Sequence, residues 1–373
     1  MALPEQTLAY VRADKPSTAR DQNLHTSVRL GTSVTTSLRL GGGESALGSS
    51  SVKPAIPRKL LYAAFVAAAP FLLLGAVRGS TTLASSVLEK RYPPPGPMIP
   101  VGDHRMLLYC TGNGSPTVVI EPGMGVDWVS WWRVIPELAE SATVCVYDRA
   151  GYGWSEAGPM PRTAGRIADE LHSLLSNAHV GGPYILAAFS FGGYIARIYA
   201  SRFPESLSGV VLVDPSHEDE EGNQPNSPRV RHILELIPPL GTARLARLYK
   251  GENDLPAEIA DLPPAFRSRY LIASSLVQLK TERNEFDNVV ESAAQAHAAV
   301  FPRQVPLTVI TAMLPRPAES PGALSLRRES QDRLARSSIF GRQILAENSG
   351  HTVSLDQPNL IVDAILELAR RPR

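Results

Sequence analysis

Cysteine is almost missing from this chain: 373 residues contain two, Cys110 and Cys145, and they form no CxxC pair. Neither a disulfide framework nor a zinc site built on paired thiols is suggested. Both residues lie in apolar, strand-like runs and read as buried free thiols, with a single bridge open if their strands are neighbours. An excess of one charge is missing as well. The formal net charge is +1 and no run of Lys and Arg dominates, so the electrostatic footprint of a nucleic-acid partner is absent.

What is present is apolar mass, 43% hydrophobic residues in a length that suits one large or two ordinary domains. It is unevenly spread. Residues 1–58 are rich in Ser, Thr, Gly and scattered Arg, a composition that buries too little apolar surface to fold, and they are expected to be a disordered tail. A transit peptide fits less well, because Glu5, Asp14, Asp21 and Glu44 spoil the acid-poor pattern. Next comes LLYAAFVAAAPFLLLGAV, residues 60–77, free of charge and closed by Arg58, Lys59 and Arg78. As a helix it would extend roughly 27 Å, near the thickness of a bilayer's hydrocarbon core. The expectation is one transmembrane helix over 59–78, kinked at Pro70, then a linker over 79–96 ending in the proline-rich YPPPGP. The arginines of the tail favour a cytoplasmic N-terminus and a single-pass membrane protein. A folded domain is expected over 97–373.

From Met98 onward, β-rich runs such as RMLLYC, PTVVIE, TVCVYD, PYILAAF and LSGVVLVD end in turn signals. Amphipathic stretches alternate with the later ones. In AGRIADELHSLLSNA, Ile167, Leu171, Leu174 and Leu175 recur at helical spacing. This alternation predicts a mostly parallel sheet with helices on both faces, and strands of nearly continuous Val, Ile and Leu fit burial on both sides. Residues 215–300 break the rhythm with charges, prolines and short amphipathic pieces, as a helical insertion would. Strands resume with VPLTVITAML and GRQILAE, and PNLIVDAILELARR closes the chain as a helix.

Ser190 stands at the junction between PYILAAF and GGYIARIYASRF. A strand-to-helix turn this tight needs small residues two before and two after the serine, and Ala188, Gly192 and Gly193 supply them. An ordinary capping serine has no such need, so Ser190 reads as a nucleophile lifted above the strand end. Its hydroxyl then requires a base and a group to orient that base. His351, in SGHTVSLDQP on the loop before the last helix, is the candidate base. His217 follows a strand as a loop residue near the pocket; His172, His232 and His297 lie on helical patterns as surface or packing residues. Asp214 ends GVVLVD, the strand after the serine's helix, and would emerge at the same sheet edge about one strand spacing away. It is the candidate acid, against a plain turn aspartate before Pro215; the rival loop after the next strand offers first Glu319. An oxyanion needs two backbone donors. The amide of Phe191 is one candidate, and that of Met124, after the turn at Gly123, is the other.

With AFSFGG, DRAGYGWSE, SGHTVSLDQP and the helical insertion, residues 97–373 resemble the α/β-hydrolase fold superfamily. The resemblance implies an eight-stranded, mostly parallel sheet, a helical cap (about 215–300) between strands six and seven, and Ser190, Asp214 and His351 as catalytic residues. It gives Asp148 and Arg149 a supporting role beneath the site. Two departures stand out: Pro122-Gly123 after Glu121 replaces the His-Gly of many members, and the acid slot after strand seven lacks an aspartate. The expected protein is a membrane-anchored serine hydrolase acting on a small, lipophilic carboxylic ester or related acyl substrate, needing neither metal nor organic cofactor. Phe266, Tyr270, Leu276 and Val277 would roof its pocket. An acyltransferase or carbon-carbon bond hydrolase with the same triad, and a non-catalytic anchored binding domain, are the alternatives.

Overall fold

The computed structural model describes residues 57–219, 246–316 and 322–371. The expected tail, His25, His232 and Glu319 fall outside the described residues. Strands β1 (Met98–Val101), β2 (His104–Thr111), β3 (Thr117–Glu121), β4 (Thr143–Tyr147), β5 (Tyr184–Phe189), β6 (Leu207–Val213), β7 (Leu307–Ala312) and β8 (Arg342–Ala346) form one sheet. Its order is β1-β2-β4-β3-β5-β6-β7-β8. The first two pairings, β1 with β2 and β2 with β4, are antiparallel, and all the rest are parallel. The longer helices are α1 (Arg58–Arg91), α2 (Ala164–Asn177), α3 (Gly192–Arg202), α4 (Pro264–Ile272), α5 (Leu276–Asp287), α6 (Val289–Ala298), α7 (Ala323–Ala335) and α8 (Pro358–Ala369).

Side-chain alternation along the central strands builds two cores. Val119, Leu186, Ala188, Val210 and Leu212 pack with the apolar stripes of α2 and α3. Val118, Ile120, Ile185, Ala187, Val211 and Val213 face the other way, onto Trp128, Trp131 and α8. Helices α4 to α6 occupy the expected cap between β6 and β7. Strand β1 went unread in the sequence, because MIPV is short and only partly apolar and gains its partners from the β2 hairpin.

Three expectations are corrected. Cys110 and Cys145 are not free thiols: they stand directly opposite each other in the β2–β4 register and are joined by a disulfide. Among the described residues no helix is long and apolar enough to cross a membrane. The expected division into a span over 59–78 and a linker over 79–96 gives way to α1, one 34-residue helix running from Arg58 to Arg91. It stops only where Pro93, Pro94 and Pro95 forbid continuation. Thr81, Ala84 and Leu88 recur on one face and are buried; Leu88 and Tyr92 pack on Leu271 and Ile272 of α4. Trp154 fastens this end by donating Nε1–H to the Tyr92 carbonyl at 2.8 Å. Helical periodicity hidden in a Ser- and Thr-rich stretch thus becomes a docking face. The third correction concerns the cap: Leu276 and Val277, expected to roof the pocket, are 40% and 47% exposed and border a groove against α1.

Candidate active site

Strand β5 ends at Phe189 and α3 begins at Gly192. Between them Ser190 takes φ +54°, the left-handed region that an L-residue enters at a cost of about 1–2 kcal/mol. Hydrogen bonds hold it there: its amide donates to Val213 O at 3.1 Å, and its carbonyl accepts from Gly193 at 2.9 Å and Ser216 at 3.0 Å. The small neighbours are required sterically. A Cβ on Gly192 would lie 2.8 Å from Pro122 O, and one on Gly193 would lie 2.5 Å from the Pro215 Cβ. Helix α3 has no side-chain cap hydrogen bond. The Ser190 hydroxyl instead meets His351 Nε2 at 2.9 Å.

His351 arrives on the loop between β8 and the short helix Val353–Asp356. Its ring packs against Phe189, with centroids 4.7 Å apart, and its side chain is 35% exposed. Nδ1 lies 2.6 Å from Asp214 Oδ2. Asp214 follows β6, the neighbour of β5, and is fully buried. Ala312 N–H and Gln331 Nε2 donate to its Oδ1 at 3.3 and 3.2 Å, while Arg316 donates to Oδ2 at 2.7 Å. Burial pushes this carboxyl up, but the His351 hydrogen bond and the Arg316 cation outweigh it and hold the pKa at about 2. The anion therefore takes the Nδ1 proton as its hydrogen-bond donor, leaving Nε2 to accept from the serine. Ser190, His351 and Asp214 are thus brought together from three separate loops. Among the other described histidines, His172 stacks on Phe203 at 3.7 Å, His297 meets Glu218 at 3.1 Å, and His217 accepts from the Asp219 amide at 3.2 Å.

Phe191 directly follows the serine and is buried. The loop after β3 lies against it too, since a Cβ on Gly123 would sit 3.2 Å from the Ser190 Cβ; Met124 is the next residue. This loop is clamped from below by buried charge. Arg149 donates to the Gly123 carbonyl at 2.5 Å and pairs with Glu121 at 3.3 Å and with Glu285 of α5 at 3.4 Å. Tyr152 accepts from the Gly125 amide at 3.3 Å and donates to Glu285 at 2.8 Å. Arg269 of α4 joins Asp148 at 2.6 Å and Asp127 at 3.0 Å. Burial raises Glu121 to about 7 against the pull of Arg149 and Tyr147, and it raises Glu285 as well. The supporting role expected for Asp148 and Arg149 matches these contacts. Glu285 and Arg269 were not foreseen, because charges in amphipathic stretches look like solvated helix faces, and Gln331 and Arg316 were not foreseen because their contacts with Asp214 span more than 100 residues. Among the described residues no group of three His, Cys, Asp or Glu side chains is arranged to hold a metal ion.

A cavity of about 510 Å³ opens beside this loop, bordered by Gly125, Val126, Trp132, Tyr270, Leu279 and Leu355. Tyr270 borders this cavity, whereas Phe266 is buried edge-on to Trp128, with ring centroids 5.2 Å apart. The strand order and the turn at Ser190 agree with a family model described as alpha/beta hydrolase fold, which matches residues 116–231. The chain has the α/β-hydrolase fold. An esterase from Thermogutta terrifontis shares this fold with a TM-score of 0.50 at 21% identity, over 74% of this chain and 97% of that one. An AB hydrolase superfamily protein of Gibberella zeae is 25% identical over 69% of this chain and 88% of its own length. A probable transporter of Hormonema carpetanum is 27% identical over 72% of this chain, which spans only 42% of that relative's length.

Proposed function

We propose that this protein is a serine hydrolase that cleaves carboxylic esters or related acyl bonds through an acyl-enzyme. One observation carries the reading: the unbroken chain from Ser190 Oγ to His351 Nε2 at 2.9 Å and from Nδ1 to Asp214 at 2.6 Å. His351 takes the hydroxyl proton as Oγ attacks the substrate carbonyl, and Asp214 stabilises the imidazolium that results. The amides of Phe191 and Met124 receive the oxyanion. As the tetrahedral intermediate collapses, the imidazolium returns the proton to the departing alkoxide and the alcohol leaves. Water, deprotonated by the same imidazole, then releases the acid and frees Ser190. The 510 Å³ cavity beside the loop after β3 is bordered by Val126, Val129, Trp132, Ile259, Tyr270 and Leu355 together with Asp127, Arg247 and Glu282, and its apolar side would suit a lipophilic acyl or alcohol group. Leu60, Tyr62, Phe65, Val66, Phe71, Leu72 and Leu73 on the first half of α1 are all more than half exposed, and they support association of the enzyme with a lipid surface.

A fluorophosphonate probe phosphonylates only an activated serine and so tests this reading directly. The full chain is expected to label, and Ser190→Ala to abolish labelling while leaving the fold intact by circular dichroism. Equal labelling of the two proteins would refute the proposal.

A further inference from the structure

The loop after β7, where the family resemblance would place the acid, carries Arg316. Arg316 reaches the Asp214 carboxylate from that loop at 2.7 Å. It shares a single oxygen, Oδ2, with His351 Nδ1. We propose that Arg316 is a positioning residue: it divides the Asp214 charge between itself and the imidazole, and so sets the acidic limit of Ser190 reactivity. This inference rests on the reading of Ser190 as the nucleophile.

The surroundings single out Arg316. Arg327 of α7 also faces the carboxylate, at 3.7 Å from Oδ1, but is almost fully buried; Arg316 is a quarter exposed. Gln331 from α7 fixes Oδ1 from the same side. On the loop after β6, Glu218 pairs with Arg197 and Asp219 with Arg333, and His217 contacts both acids. On the His351 loop, Asp356 accepts from the Gly350 amide at 3.0 Å. Arg316 is therefore the accessible cation bonded to the oxygen that serves His351.

The physical consequence has a definite sign. When His351 takes the serine proton it becomes a cation, attracted by Asp214 and repelled by Arg316. Removing Arg316 strengthens the attraction and deletes the repulsion, so the protonated relay is favoured and Ser190 becomes reactive only at higher pH. Two charges this close, partly screened by solvent, shift such a balance by about one pH unit, or roughly tenfold. The loss of a merely structural contact would lower stability or the plateau rate without moving the midpoint.

The test is the second-order rate of fluorophosphonate labelling of the full chain across the acid and neutral range, for wild type, Arg316→Gln and Arg316→Lys. The acid midpoint is expected to rise by about one unit in the glutamine variant and to return toward wild type in the lysine variant. Arg316→Met, which keeps the aliphatic stem, replaces the glutamine variant if that protein does not fold. Wild type that labels, together with a variant whose midpoint is unmoved, would overturn the role of Arg316 alone. Wild type that fails to label at any pH would overturn the nucleophile reading and this inference with it.

Discussion

Asp214 is the anion on which the Ser190–His351 relay turns. It is buried, bonded through both oxygens, and held as an anion by His351 and two arginines. Asp214→Asn keeps the shape but removes the charge that stabilises the imidazolium and fixes its tautomer. The plateau rate of fluorophosphonate labelling is expected to fall by about three to four orders of magnitude. A rate within threefold of wild type would remove Asp214 from the relay. At this scale the legibility of the sequence was uneven. Ser190 could be read because its turn makes local steric demands, met by Ala188, Gly192 and Gly193 a few residues away. Arg316 and Gln331 could not be read, because their partner lies 102 and 117 residues distant and no local pattern records a contact at that separation.

Among the elements, the loop after β3 depends on the cap. Glu121 at the end of β3, Arg149 after β4 and Glu285 of α5 form one buried group beneath the backbone of Gly123. The folded-state pKa of Glu121 is about 7, raised from 4.5 by burial. Between these values the native chain binds more protons than the unfolded one, so this residue's contribution to stability is full below about pH 4.5 and is lost as pH rises toward 7. The shift corresponds to up to about 3 kcal/mol. Asp214 has the opposite sign, since its depressed pKa of about 2 adds stability above 3.8 that vanishes as pH falls. The two windows do not overlap. Urea unfolding across pH 4.5–7 should therefore show a decline in wild type that Glu121→Gln flattens; equal slopes would mean that Glu121 is ionised throughout. Element types were legible wherever apolar periodicity is long, as in β5, β6, α2 and α8. Boundaries failed in α1, where the docking face at Thr81, Ala84 and Leu88 is too sparse to announce itself.

For the whole molecule, α1 joins two environments. Its second half is packed on the cap through Leu88 and Tyr92, while its first half presents apolar side chains outward. Each such Leu or Phe gains roughly 1.5–3 kcal/mol when buried in an apolar phase, so a handful suffices for stable adsorption. The full chain is expected to co-float with phosphatidylcholine vesicles. Phe65→Ser, Phe71→Ser, Leu72→Ser and Leu73→Ser together should release it without loss of fluorophosphonate labelling. Wild type left in the aqueous fraction would sink the proposal of a lipid surface. The disulfide is also a property of this scale: Cys110 and Cys145 are 35 residues apart, and only the antiparallel pairing of β2 with β4 makes them neighbours.

The sequence by itself determined the alternation of strands and helices, the place of the cap and the turn that lifts Ser190. Each follows from periodicity or sterics acting over a few residues. Tertiary structure alone decided which charges meet. Arg316 and Arg327 closed on the Asp214 carboxylate from behind, and Glu285 reached Arg149 beneath the loop after β3. Burial is the reason for the difference: a charge acquires its partner and its pKa from neighbours that the fold assembles, and short-range patterning carries no record of them.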